Sequence, residues 1–272
     1  YSNSNKRLPN LEPTAAALYT IYWHYGSCWS VSMEGMTIRM YAKPMLIFLL
    51  FNSIFIYGQE YKITLWSFPI VAVEMNIEAS GKIAYNTESI GIMDYIWPHD
   101  NSYTTHYDTT NFGLRHFSKK IKQGSFKQKL SCDFNHDDST LIYDGNTVHV
   151  PDSIQTIFTL LARITVDSLE YIDTKWFPMD HEGCSYLGRF LWSDTVTVRA
   201  MDKYILCDHF RLDLIPNEDN ECLFEKSDYF MKNIVAENTV RQLWVEKNNN
   251  KRIIKAAAKV YGLTLEAIIQ DG

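Results

Sequence analysis

The chain has 272 residues and a formal net charge of −6, and its 46% hydrophobic and 21% charged residues are enough to build a sizeable core. No long run of Lys and Arg occurs, which argues against a surface that neutralises nucleic-acid phosphates. Aromatic residues reach 14%, and aromatics favour strands, so the composition leans towards β structure.

Residues 1–39 are expected to be an upstream segment outside the folded domain. Residues 40–58 have the layout of a cleavable signal peptide: a short start with Lys43, the apolar run Met45–Tyr57, then the small Gly58. The run is shorter than the roughly 20 residues a transmembrane helix needs. If residues 1–39 are instead a cytoplasmic tail, the same run becomes an anchor. No Cys follows it, so a lipid-modified N-terminal cysteine is not supported.

Residues 59–272 are expected to form one antiparallel β domain. Tyr61 to Trp66 alternates, Ile70 to Ile77 is rich in β-branched residues, and Ser80-Gly81 signals a turn before Lys82 to Ile90. Phe126, Gln128, Leu130, Cys132 and Phe134 share one strand face, with Lys127, Lys129, Ser131 and Asp133 on the other. Asn135 to Asp138 and Asp144-Gly145-Asn146 supply polar turns.

One segment breaks the period of two. Ile154, Ile157, Phe158 and Leu161 form a helical stripe that predicts a helix over 152–163, with Asp152 as its cap, Gln155 completing a capping box, and Thr156 and Thr159 on the opposite side. Strands then resume through Tyr204–Leu214. Thr239–Glu246 and Arg252–Tyr261 are predicted to form a closing hairpin around Asn248–Asn250, with Ile254, Ala256, Ala258 and Val260 facing inwards. The fold class that follows is mainly β: a single antiparallel, strongly curved sheet or open half barrel, a meander with one packed helix.

The order of elements resembles domain-of-unknown-function family 3108, a group of exported bacterial proteins. The likeness covers Tyr61 to Ile269 and rests on Tyr61–Trp66, Asp152–Arg163, Tyr204–Leu214, Gln242–Ile254 and Ala257–Leu265. The chain departs from the family at Ile253, where a Pro is expected after the basic residue. The resemblance implies export and a β architecture. It implies no activity, because the family has none agreed. At fold level it is also similar to curved-sheet carriers that ferry lipoproteins across the periplasm.

No nucleophile elbow, P-loop, dinucleotide fingerprint or H-E-x-x-H zinc motif is present. No catalytic residue, cofactor or metal site is expected, because the His–carboxylate neighbours, such as Asp180-His181-Glu182 and Asp208-His209, point to opposite faces if they lie in strands. Cys132, Cys184, Cys207 and Cys222 allow three pairings. Cys132 and Cys207 fit buried free thiols, and Cys222 is the better bridge candidate. In a half barrel Phe158, Trp66, Trp176, Trp192 and Trp244 would line an apolar groove. The expectation is a non-enzymatic protein of the periplasm or cell envelope that binds or carries an apolar small molecule or lipid. It would bind no nucleic acid and touch membrane only through the signal segment. A structural or interaction module with a filled interior is the alternative.

Overall fold

Strands dominate the computed structural model, which describes residues 29–33, 36–40, 56–217, 222–224, 226–248 and 251–271. Trp29–Met33 (β1) and Met36–Met40 (β2) pair with each other and belong to a separate unit, residues 1–54. Most of the expected export signal, residues 41–55, lies outside the described residues.

The second unit holds fourteen strands in one open antiparallel sheet. A first meander runs through Ile56–Leu65 (β3), Phe68–Glu78 (β4), Lys82–Ser89 (β5), Asp100–Tyr107 (β6), Leu114–Gln123 (β7), Phe126–Asn135 (β8), Thr140–Tyr143 (β9) and Asn146–His149 (β10). A second runs through Trp176–His181 (β11), Cys184–Ala200 (β12), Lys203–Pro216 (β13), Val240–Glu246 (β14), Ile253–Val260 (β15) and Leu263–Asp271 (β16). Ile63 lies opposite Ala267 and Leu65 opposite Leu265, so β3 and β16 fuse the two meanders and leave β10 and β11 as the edges. Four short helices complete the described residues: Ile92–Ile96 (α1), Ile157–Ile164 (α2), Leu169–Ile172 (α3) and Tyr229–Ile234 (α4). This is the mainly β, open antiparallel architecture that the alternation predicts.

Period two sets which side chains enter the core. On β8, Leu130, Cys132 and Phe134 are buried, whereas Lys127, Lys129 and Asp133 are exposed. The hairpin of β14 and β15 forms as expected, but a register shift pairs Trp244 with Lys255 and Val245 with Ile253. The bulge buries both Ile253 and Ile254, so alternation fails there for one step.

The chain between β10 and β11 must pass from one edge of the sheet to the other, and it does so across the concave face. Ile154 and Gln155 bridge the seam by backbone hydrogen bonds. Leu114 N–H donates to Ile154 O (2.7 Å), Gln155 N–H to Pro178 O (3.0 Å) and Asp180 N–H to Gln155 O (2.7 Å). Because Gln155 is extended, the helix starts later than its stripe predicts. Its N-cap is Thr156, with Thr159 closing the capping box, and Asp152 and Gln155 do not fill those roles. Thr156 and Thr159, expected on the open side, are buried, as is nearly all of α2. A cover helix between two sheet flanks has no wet side.

Arg163 at the end of α2 is the polar anchor of this crossing. Its guanidinium lies 4.6 Å from the ring centroids of both Phe112 and Phe177. It donates to Gln155 Oε1 (3.1 Å), to Asp167 (2.6 Å) and to the Asn111 carbonyl. Gly188 on β12 gives α2 its close approach, since a Cβ there would meet Leu160 Cδ1 at 2.7 Å.

Phe158 is fully buried against Tyr85, Tyr103, Phe117 and Phe230. Phe158→Ala should therefore lower the unfolding free energy by about 3–5 kcal/mol. Thr159→Ala should lower it by about 1–2 kcal/mol, because it strips a buried cap. Urea titration of both variants checks this. A loss at Thr159 within a few tenths would show that the cap does not hold α2.

Candidate functional site: an apolar cavity inside the curved sheet

Rows of cross-strand neighbours line the concave face. One row runs Phe210, Leu243, Ala256, Ala267, Ile63, Val71, and the next Leu212, Arg241, Ala258, Leu265, Leu65. A third runs Tyr61, Val73, Thr87, Asn101, and a fourth Met75, Tyr85, Tyr103, Lys119. Where Ala256, Ala258 and Ala267 stand in these rows, the side chains are too short to reach the far wall. A cavity of about 500 Å³ remains, bounded by these rows apart from Phe210 and Lys119 at their ends, by Ile157, Phe158 and Leu161 of α2, and by Tyr229, Phe230 and Ile234 of α4. That volume lies within the usual range of small-molecule sites, and the lining is almost wholly apolar.

Of the expected groove residues, Phe158 lines this cavity, while Trp66, Trp176, Trp192 and Trp244 do not. The strand parity explains the departure. Phe177 and Leu243 face inwards, so their neighbours Trp176 and Trp244 face outwards. Arg189 covers the Trp176 ring at 4.2 Å, and Trp244 stacks on His209 with centroids 4.5 Å apart. The irregularity between Trp192 and Asp194 turns Trp192 outwards, where its Nε1 donates to Asp208 (3.4 Å). Trp66 sits on the β3–β4 turn with positive φ and is 72% exposed. The tryptophan that does line the cavity is Trp97, packed edge-on against Tyr229. In the sequence, the trace of the cavity is the small size of the inward residues Ala256, Ala258 and Ala267.

The connection from β13 to β14 straps over the cavity and is held by polar contacts. Asp228 caps α4, accepts from Tyr103 Oη (2.9 Å) and pairs with Lys119 Nζ (2.9 Å). Lys119 also pairs with Glu182, and all three charged side chains are buried. A disulfide between Cys184 and Cys222 ties the strap to β12, while Cys132 and Cys207 are buried free thiols, as expected. Arg241 extends from β14 to the carbonyls of Ile234, Ala236 (2.7 Å) and Thr239 (2.8 Å), closing the end of α4. Burial pulls its pKa down to about 10. Among the described residues no three His, Cys, Asp or Glu side chains converge as a metal site.

Tyr143 on β9 donates to Asp180 on β11, a side-chain link between the two edge regions. Burial lifts the Asp180 carboxyl from 3.8 to about 7, although the Tyr143 and Gly183 hydrogen bonds oppose the rise. Burial, reinforced by Lys119, lowers neighbouring His181 from 6.5 to about 4.

Comparison with solved structures gives a β-barrel-like protein of the domain of unknown function DUF1849 from Brucella abortus. It is 9% identical, has a TM-score of 0.52, and the match covers 79% of this chain and 96% of that one. The two share a fold. The hypothetical lipoprotein YmcC from Escherichia coli (9% identity, TM-score 0.35, 79% and 87% coverage) and the lipoprotein LppX from Mycobacterium tuberculosis (7%, 0.29, 79% and 86%) also match. Likenesses this loose carry no weight. No family model and no curated protein matches the chain.

A carboxyl whose folded pKa lies above its unfolded value stabilises the fold below about pH 3.8 and loses that contribution as pH rises through about 7. His181 acts in the opposite sense between about 4 and 6.5. Asp180→Asn removes only the first effect. The stability of this variant relative to the parent should thus rise between pH 4 and 7.5, by on the order of 4 kcal/mol. Urea midpoints at the two pH values test this, and a difference that stays constant with pH would contradict it.

Proposed function

We propose that the domain binds and shields an apolar ligand of lipid type within its curved sheet and catalyses no reaction. The single observation that carries this is the roughly 500 Å³ cavity with its almost wholly apolar lining. A structural module with a filled interior, the competing expectation, has no use for such a void. Water gains little in a space with so few polar partners, whereas an acyl or other hydrocarbon group gains contacts on every side.

The proposal extends to location and kinship. Export through the signal at residues 40–58, to the periplasm or cell envelope, is supported by the order Lys43, Met45–Tyr57, Gly58. The kinship with family 3108 rests on the motifs quoted for it. β3 begins at Ile56, so cleavage after Gly58 trims three residues from its start. N-terminal sequencing of the mature protein should begin near Gln59. A retained, membrane-embedded full-length chain would overturn the export reading.

Ala256→Trp and Ala258→Trp fill the cavity from the β15 wall. The parent protein should carry lipid-sized adducts in native mass spectrometry and take up the fluorescent fatty acid cis-parinaric acid. Both signals should fall at least tenfold in the Trp variants, with the melting midpoint preserved. A parent protein that carries no apolar adduct and takes up no probe would overturn the carrier reading.

A further inference from the structure

We propose that the end of the sheet at which the cavity reaches the surface docks on a membrane rich in anionic phospholipid. Three loops meet at this end: the β3–β4 turn, the α1 connection and the β15–β16 turn. Their tips expose Trp66 (72%), Phe68 (71%), Ile92 (69%), Tyr95 (94%), Ile96 (69%) and Tyr261 (80%). Exposed apolar side chains scattered singly are ordinary, but six clustered on neighbouring loop tips mark an interaction site.

The opposite end is built differently. Its turns carry Glu78 and Lys82, Asp108, Asp137 and Asp138, and Asp202. At the apolar end Asp94 is the one charge on α1, and its carboxylate accepts from Ser89 Oγ (2.9 Å). The cavity lining surfaces here as well, at Leu263 and Tyr229, both more than 40% exposed.

Charge names the occupant. The β7–β8 hairpin packs its turn against this end, where Gly124 N–H donates to Pro98 O (2.8 Å). On its outer face Lys120 lies opposite Lys129 and Lys122 opposite Lys127, all four exposed. Among the described residues none of the four has an ion-pair partner, in a protein whose net charge is −6. Like charges directly across a ladder are unfavourable, and an anionic surface relieves both pairs at once. Aromatic and aliphatic tips beside a lysine patch match the two layers of an anionic bilayer surface, the acyl boundary and the headgroups. A neutral partner protein would use the tips alone. This proposal goes beyond the expectation that membrane is touched only through the signal segment.

Docking does not depend on what the cavity holds, and the test keeps the two apart. The full chain is floated with vesicles of phosphatidylcholine alone or mixed with phosphatidylglycerol. The Met45–Tyr57 run is common to every variant and cancels in the comparison. The parent should prefer the anionic vesicles, and the preference should shrink with salt. Joint replacement of Lys120, Lys122, Lys127 and Lys129 by Gln should weaken binding to them about tenfold or more and remove the salt dependence. Trp66→Ser with Phe68→Ser should weaken binding to both vesicle types, with the melting midpoint unchanged. Ala256→Trp should float like the parent, whatever it does to ligand uptake. Equal flotation of the parent and these surface variants, or no preference for phosphatidylglycerol, overturns the proposal. So does a dimer in sedimentation velocity that Trp66→Ser with Phe68→Ser abolishes, which would assign the tips to a second copy of the chain.

Discussion

A sheet with one apolar face cannot leave that face in water, and a sheet of fourteen strands twists too strongly to lie flat. Both demands are met by curling, yet β10 and β11 never pair with each other. The gap between the edges is spanned by other means: the backbone of Ile154 and Gln155, the Tyr143–Asp180 hydrogen bond, and Arg163 between two aromatic rings. Each of these groups is buried, and each has its polar partners. Their desolvation is offset only in the curled geometry, so they select it over a flatter sheet.

The interior is divided between two chemistries. Around α2 the space is packed with aromatic side chains, and beneath the strap the charged trio of Lys119, Glu182 and Asp228 is fully enclosed. Replacing such a trio with hydrocarbon is often neutral for stability. Here it fixes the position of the strap. Between these two regions the alanines of β15 and β16 leave the cavity. Rigid supports on both sides keep the space from collapsing, which a void lined by short side chains otherwise tends to do.

Most of this architecture is legible in the sequence because period two is a local signal. Leu130, Cys132 and Phe134 announce their face within five residues, and the stripe of α2 announces a helix. The helix start was misplaced because a non-local pairing, Gln155 with the strand at Met179, overrides a local capping pattern. The tryptophans were misplaced for a related reason. Bulk suggests burial, but parity decides it, and Trp176 and Trp244 stand one residue away from the inward Phe177 and Leu243. The cavity escapes a reading of propensities altogether, since it depends on which short side chains become neighbours across two strands. The cross-linked Cys222 is legible from its polar surroundings, and its partner Cys184 is not, because a loop cysteine carries no period that says which strand residue it meets.

The pairing of β3 with β16 sets the order in which the molecule can be made. β3 is the first strand of the sheet to be synthesised and β16 the last, nearly the whole domain apart in sequence. Until the ribosome has released Leu263–Asp271, β3 has β4 on one side and nothing on the other, and two half-sheets expose apolar faces and open edges. Contacts of such long range form slowly. The folding barrier therefore falls after synthesis, when the two ends of the domain find each other, and the cavity, whose walls come from both halves, takes shape in that same late step.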